Sequence, residues 1–137
     1  MAETIRRVSY YYTTIPDKPG EGARLLEVLR SAGVNLLALH AFPSARKSQI
    51  DFVPTNASAF TAAAQGAKLK LSKPKTAFLL DGDDRVGALA GVLARLGAAK
   101  INVTAVTGVT SGMGRYGAIL WVKPKDVEKA ASTLGAS

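Results

Sequence analysis

Asp17-Lys18-Pro19-Gly20-Glu21-Gly22 opens a stretch that runs through an apolar-periodic segment to Gly33-Val34-Asn35. Asp84-Arg85-Val86-Gly87 opens a second, which ends at Lys100-Ile101-Asn102. The two align without a gap at an offset of 67 residues, and Gly20/Gly87, Leu26/Leu93, Leu29/Leu96, Ala32/Ala99 and Ala38/Ala105 are identical pairs at that offset. The chain therefore carries a duplicated unit, and a period this long indicates two small domains rather than a solenoid array.

Working outward from the first motif, Thr4 to Thr14 is rich in β-branched and aromatic residues and reads as a strand that ends at Pro16. From Ala23 to Ala32, Leu25, Leu26, Leu29 and Ala32 form one helical stripe, and Gly33 supplies the left-handed stop. Leu36 to Phe42 and Gln49 to Val53 read as strands. Ala57 to Gly66 reads as a helix with Asn56 or Ser58 as its cap. Lys68-Leu69-Lys70-Leu71 alternates charge and leucine at strand period, as a soluble edge strand does, and would close the unit. The order is β-α-β-β-α-β, over residues 1–72.

The second copy, 73–137, follows the linker Ser72-Lys73-Pro74 with a strand at Thr76 to Leu80 and a helix striped by Val92, Leu93, Leu96 and Ala99. Strands at Val103 to Val109 and Ala118 to Val122 flank the hairpin Ser111-Gly112-Met113-Gly114-Arg115, and the last helix spans Asp126 to Leu134. No fourth strand is evident in this copy. The edge near Phe78-Leu79-Leu80 is left for a second chain to cover, which points to a homodimer, or for the N-terminal strand or Lys68–Leu71 to cover within one chain.

This order, with an acidic residue, a basic residue and Pro-Gly before the helix and a Gly-Ile-Asn-like entry into the second strand, resembles the ACT domain. That family is a ferredoxin-like small-molecule-sensing module found in enzymes of amino-acid metabolism. The resemblance implies an α/β chain of two ferredoxin-like units in tandem, with antiparallel sheets, helices on one face and a second unit short of its last strand. It also implies a non-catalytic sensor of an amino acid or similar metabolite that signals to a regulated enzyme. Copy one keeps Pro19 but has Gly22 where the family has an apolar residue; copy two keeps Leu89 but has Val86 for the proline.

The helix-mouth turn explains such a role chemically. Gly20 and Gly22 let the backbone approach a ligand, and the first-turn N–H groups at the positive end of the helix dipole suit a carboxylate. Asp17 would face an ammonium, and Asn35 would offer a donor and an acceptor. The candidate ligand-binding residues are Asp17, Lys18, Gly20, Glu21, Gly22 and Asn35, with Asp84, Gly87 and Asn102 as the weaker counterpart. The same residues also suit a capped turn and a strand-entry hydrogen bond.

Composition excludes other classes. With no cysteine and only His40 among 137 residues, disulfides, thiolate zinc sites, thiol catalysis and multi-histidine metal sites are absent, so neither a metal nor a cofactor is expected. His40, within Leu37-Ala38-Leu39-His40-Ala41, reads as a packed strand residue rather than a catalyst, and the acids Asp81, Asp83 and Asp84 favour a helix start. The chain lacks an apolar run of membrane-spanning length, and its N-terminal residues lack a signal-peptide core, so a cytoplasmic location is expected.

The formal charge of +8 keeps a nucleic-acid-binding ferredoxin-like protein as the alternative. Arg115-Tyr116-Gly117-Ala118-Ile119-Leu120-Trp121 partly echoes an RNA-recognition strand, but Ala118 stands where an aromatic would stack on a base.

Overall fold

The computed structural model describes residues 3–137. Among the described residues, six strands and four α-helices build two tandem ferredoxin-like βαββαβ units. They run in the order β1 (Thr4–Pro16), α1 (Glu21–Ser31), β2 (Leu36–Ser44), β3 (Lys47–Pro54), α2 (Ala57–Gly66), β4 (Lys75–Asp83), α3 (Ala88–Ala98), β5 (Val103–Gly112), β6 (Arg115–Val122) and α4 (Val127–Leu134). A 3₁₀ turn at Pro124–Asp126 precedes α4.

Packing divides the chain into Ser9–Lys75, here the first unit, and the N-terminal segment through Val8 with Thr76–Ser137, here the second. The repeat boundary at 72/73 and this division differ most at the N-terminus, where the first part of β1 packs with the later copy.

In the first unit the strand order is β2-β3-β1, antiparallel throughout, with Tyr11 opposite Phe52 and Leu39 opposite Phe52 on the other side. Its core joins Tyr11, Ile15, Ile50 and Phe52 of the sheet to Leu25, Leu29 and Phe60 of the helices. The Phe60 ring lies 5.3 Å from both Tyr11 and Phe52. The alternation along β1 and β3 places these residues on the helix side and sends Tyr12 and Asp51 to the opposite face.

Leu26, expected on the buried stripe of α1, is 36% exposed, so Leu25 and Leu29 alone anchor that helix in the core. Asn56 caps α2, its Oδ1 accepting from the Ala59 N–H at 2.9 Å.

The fourth strand expected at Lys68–Leu71 does not form a ladder. Lys68 instead takes the left-handed stop of α2 at φ 60°, donating to the Gln65 carbonyl, while Leu69 N–H reaches Ala64. The chain then runs extended beside β1 and is held piecemeal. Thr13 Oγ1 donates to the Lys70 carbonyl at 2.9 Å, and Ser72 N–H donates to the Tyr12 carbonyl at 2.9 Å. Leu69 and Leu71 still pack on the core, as the alternation predicts.

In the second unit the order is β1-β4-β6-β5. The edge near Phe78-Leu79-Leu80 is therefore not open: the N-terminal strand takes the place of the missing fourth strand. Glu3 lies so close to Gly82 that a Cβ there would stand 3.0 Å from the Glu3 Cβ. The Glu3 carboxylate meets Arg95 at 2.9 Å, and Arg7 N–H donates to the Ser137 carbonyl at 3.1 Å. Phe78, Leu80, Tyr116, Leu120, Val92, Leu96, Ala130 and Leu134 form the core.

The duplication survives in backbone detail. Both helices after the motifs start at a left-handed glycine, Gly20 at φ 88° and Gly87 at φ 76°, and both stop at a left-handed residue, Gly33 and Lys100. Register shifts fall at Leu36/Ala38 and Val103/Ala105, again 67 residues apart. Each hairpin turns on two residues of positive φ, Ala45-Arg46 and Met113-Gly114, the geometry that suits the right-handed twist of paired strands. A further shift between Thr110 and Gly112 absorbs one extra residue in β5.

Candidate functional site

The motif residues sit where the first strand of each copy hands over to its helix. In the first unit Asp17, Lys18 and Gly20 are exposed and Glu21 and Gly22 begin α1. Asp17 Oδ1 accepts from Ser48 Oγ at 3.2 Å, which ties the turn to β3, and Glu21 is ion-paired with Arg24 at 3.2 Å. Gly20 supplies no side-chain cap, and its left-handed φ is a conformation that L side chains adopt only with strain.

Asn35 does not join this group. An 11-residue helix, about 16 Å long at 1.5 Å per residue, separates Asn35 from the Asp17–Gly22 turn, because α1 carries the chain to the opposite end of the sheet. Its carbonyl accepts from Thr55 N–H at 3.0 Å and Thr55 Oγ1 at 3.2 Å, the strand-entry role. Asn102 is separated from Asp84 and Gly87 in the same way by α3.

In the second unit the turn borders a cleft of about 430 Å³. Asp84, Arg85 and Gly87 form its mouth, Ala88 and Leu89 of α3 one wall, and Val109 of β5 the other. Asp84 N–H donates to the Gly114 carbonyl at 2.9 Å, which fixes the turn to the hairpin tip. Gly108 leaves room for Leu89: a Cβ at 108 would stand 2.8 Å from Leu89 Cδ1.

Tyr116 is buried at the cleft, its hydroxyl 3.4 Å from Glu3 Oε2, and burial followed by the Glu3 charge pushes its pKa up. Asp84 and Gly87 were legible from the motif. Arg85 was visible as the basic member of the same motif, whereas Gly108, Val109 and Tyr116 arrive from strands whose register no local signal specifies.

The neighbouring acids Asp81 and Asp83 hold Arg115, at 3.6 and 2.9 Å. Tyr116 and Trp121, the aromatics of the RNA-like strand, are 8% and 6% exposed and offer no stacking platform. A second groove, of about 600 Å³, runs between α1 and α2 past Arg24, Glu27 and Ala63, away from the motif residues. No described helix is long and apolar enough to cross a membrane.

No family model and no curated protein matches this chain. Among solved structures it is similar to a protein from Bacteroides thetaiotaomicron, with a TM-score of 0.81 at 16% identity over 97% of this chain and 88% of that one. It is also similar to the ligand-free regulatory subunit of aspartate kinase from Thermus thermophilus, with a TM-score of 0.65 at 13% identity over 98% and 96% of the two chains. The regulatory subunit of aspartate kinase from Thermus flavus gives 0.59 at 15% identity over 98% and 94%. At these identities the likeness is one of fold, and it agrees with the ACT-like architecture that the duplicated motif implies.

Proposed function

We propose that this chain is a non-catalytic regulatory protein that binds an amino acid or similar small metabolite and passes the signal to a partner enzyme in the cytoplasm. The observation that carries the reading is the second-unit cleft at a left-handed glycine helix mouth. Arg85 and the first-turn amides of α3 would receive the ligand carboxylate, Asp84 its ammonium, and Leu89 and Val109 its side chain. The likeness to aspartate kinase regulatory subunits supports a regulatory rather than catalytic role.

Asp17, Lys18, Gly20, Glu21 and Gly22 form the equivalent turn of the first unit and are proposed as a second, more open site. Asn35 and Asn102, each at the far end of its helix, would serve a ligand only from a neighbouring chain. That arrangement suits a homodimer in which the exposed apolar residues Leu39 and Phe42 of β2, or Val106 and Val109 of β5, are covered. Light scattering tests the dimer: a monomer at micromolar concentration removes it, together with any role for the two asparagines.

A thermal-shift screen against the common amino acids tests the ligand reading. One compound at 100 times its dissociation constant should add about 2.7 kcal/mol of stability. Arg85→Ala should then weaken that compound by about 1.5 to 3 kcal/mol, the worth of a hydrogen bond to a charged group. Gly108→Val should drive Leu89 into the cleft and weaken it as well. Absence of any shift would remove the sensor reading, and a shift unaffected by either variant would move the site out of this cleft.

A further inference from the structure

The two copies differ sharply on the sheet face opposite the helices. In the first unit Asp51 of β3 stands directly across from Tyr12 of β1 and His40 of β2, and is only 6% exposed. In the second unit the same structural position is Ile119 of β6, 7% exposed, across from Leu79 of β4 and Thr107 of β5. Tyr10 likewise has Ala77 as its counterpart at the offset of 67. The fold thus accommodates an aliphatic residue at this depth, and the first unit places a carboxylate there instead.

A buried carboxylate opposes folding unless it is paired. Gln49 Nε2 donates to Asp51 Oδ1 at 3.0 Å, and this is a neutral donor. The titratable groups facing Asp51 are Tyr10 and Tyr12 from β1, His40 from β2 and Lys75 from the start of β4, with the Lys75 Nζ 5.5 Å from the centre of the Tyr12 ring. Burial pushes the Asp51 pKa up, against the Gln49 hydrogen bond and the charges of His40 and Lys75. Burial, then Asp51 and Tyr12, push Tyr10 up as well.

We propose that this polar face makes the first unit a proton-responsive element: proton uptake at Asp51 tightens the β2-β3-β1 sheet, proton release loosens it, and the second unit, with Ile119 in that place, has no such group on this face. The sign follows from linkage. A carboxyl whose folded-state pKa is raised keeps its proton where the unfolded chain has lost it, so its stabilising effect is full below the ordinary aspartate range and is lost as pH rises through the raised value. Above that raised value the first unit carries a buried charge, its cost opposed by the His40 and Lys75 charges, that the second unit lacks. The inference is independent of the ligand reading, since it concerns residues on neither helix mouth.

Native-state amide exchange on the full chain, corrected for the intrinsic pH dependence of exchange, tests it. Protection at Phe52 and Val53 should fall about threefold or more as pH rises from about 3.5, below the ordinary aspartate value, to about 7, while protection at Leu120 and Val122 does not fall. Asp51→Asn should abolish the fall. A fall that persists in Asp51→Asn, or no fall in the wild-type chain, overturns the proposal. Should Asp51→Asn not fold, carboxyl-carbon NMR of the wild-type chain decides: a folded-state midpoint for Asp51 at or below the ordinary value near 3.9 overturns it too.

Discussion

Tyr12 and Ser72 exchange two hydrogen bonds, Ser72 N–H to the Tyr12 carbonyl at 2.9 Å and Tyr12 N–H to the Ser72 hydroxyl at 3.0 Å. The second of these replaces a ladder bond with a side chain. Ser72→Ala should therefore leave a half-buried amide short of its acceptor and cost about 1 to 3 kcal/mol in urea unfolding. Thr13→Val, which removes the bond to the Lys70 carbonyl, should have a smaller or similar effect, and no change in either variant would mean that this segment is held by Leu69 and Leu71 alone.

The glycines of the first motif should respond differently to alanine. Gly20→Ala places a Cβ at φ 88° and should cost about 1 to 2 kcal/mol, although nothing lies within 4 Å of that Cβ. Gly22→Ala sits inside α1 with equally free space and should stabilise by about 0.5 to 1 kcal/mol. Thermal unfolding of the two variants side by side checks the contrast, and equal effects would show that the left-handed cap is not fixed.

Gly82→Val probes the seat of the N-terminal strand. A Cβ at 82 would meet Glu3 at 3.0 Å and Tyr116 Cε1 at 3.1 Å, so the added methyls must displace β1 or the ring. A cost of about 1 to 3 kcal/mol is expected, with Trp121 fluorescence as a reporter of the second unit. Gly117→Ala, whose Cβ meets only a carbonyl at 3.8 Å, is the milder comparison.

The Arg7–Glu128 ion pair, at 2.8 and 2.9 Å, should give a pH-dependent but small contribution. The Arg7 hydrogen bond and then its charge hold the Glu128 carboxyl below the usual glutamate range. A lowered folded-state pKa stabilises above the unfolded value and is lost as pH falls through the folded one. The difference in unfolding midpoint between the wild-type chain and Arg7→Ala should be present at neutral pH in low salt, vanish near about pH 2, and shrink in about 1 M salt because the pair is solvent-exposed.

The duplicated helices and strands were legible because their signals are local: the glycine at each helix mouth, the Leu25/Leu29 and Val92/Leu96 stripes, and Asn56 as a cap. Thr4–Thr14 was equally legible as a strand, but nothing in its composition tells that its first residues complete the second unit, since that pairing spans more than seventy residues of chain. Lys68–Leu71 misled because alternation records which side chains face the core and says nothing of whether the backbone forms a ladder. The motif likewise put Asn35 beside Asp17 in sequence pattern, while the length of α1 puts it about three helical turns away.

The shared strand β1 has an implication for inheritance. Duplication copied a segment of 67 residues, yet neither copy is a self-sufficient piece of protein: excised alone, residues 76–137 would expose the flank of β4 that β1 now occupies. A deletion or recombination breakpoint at the repeat boundary would therefore yield a sticky fragment instead of a smaller sensor. The doubled form is locked in by the first part of β1, which belongs to the first repeat in sequence and to the second unit in packing, and the two copies are free to diverge, as Asp51 and Ile119 have, without either being dispensable.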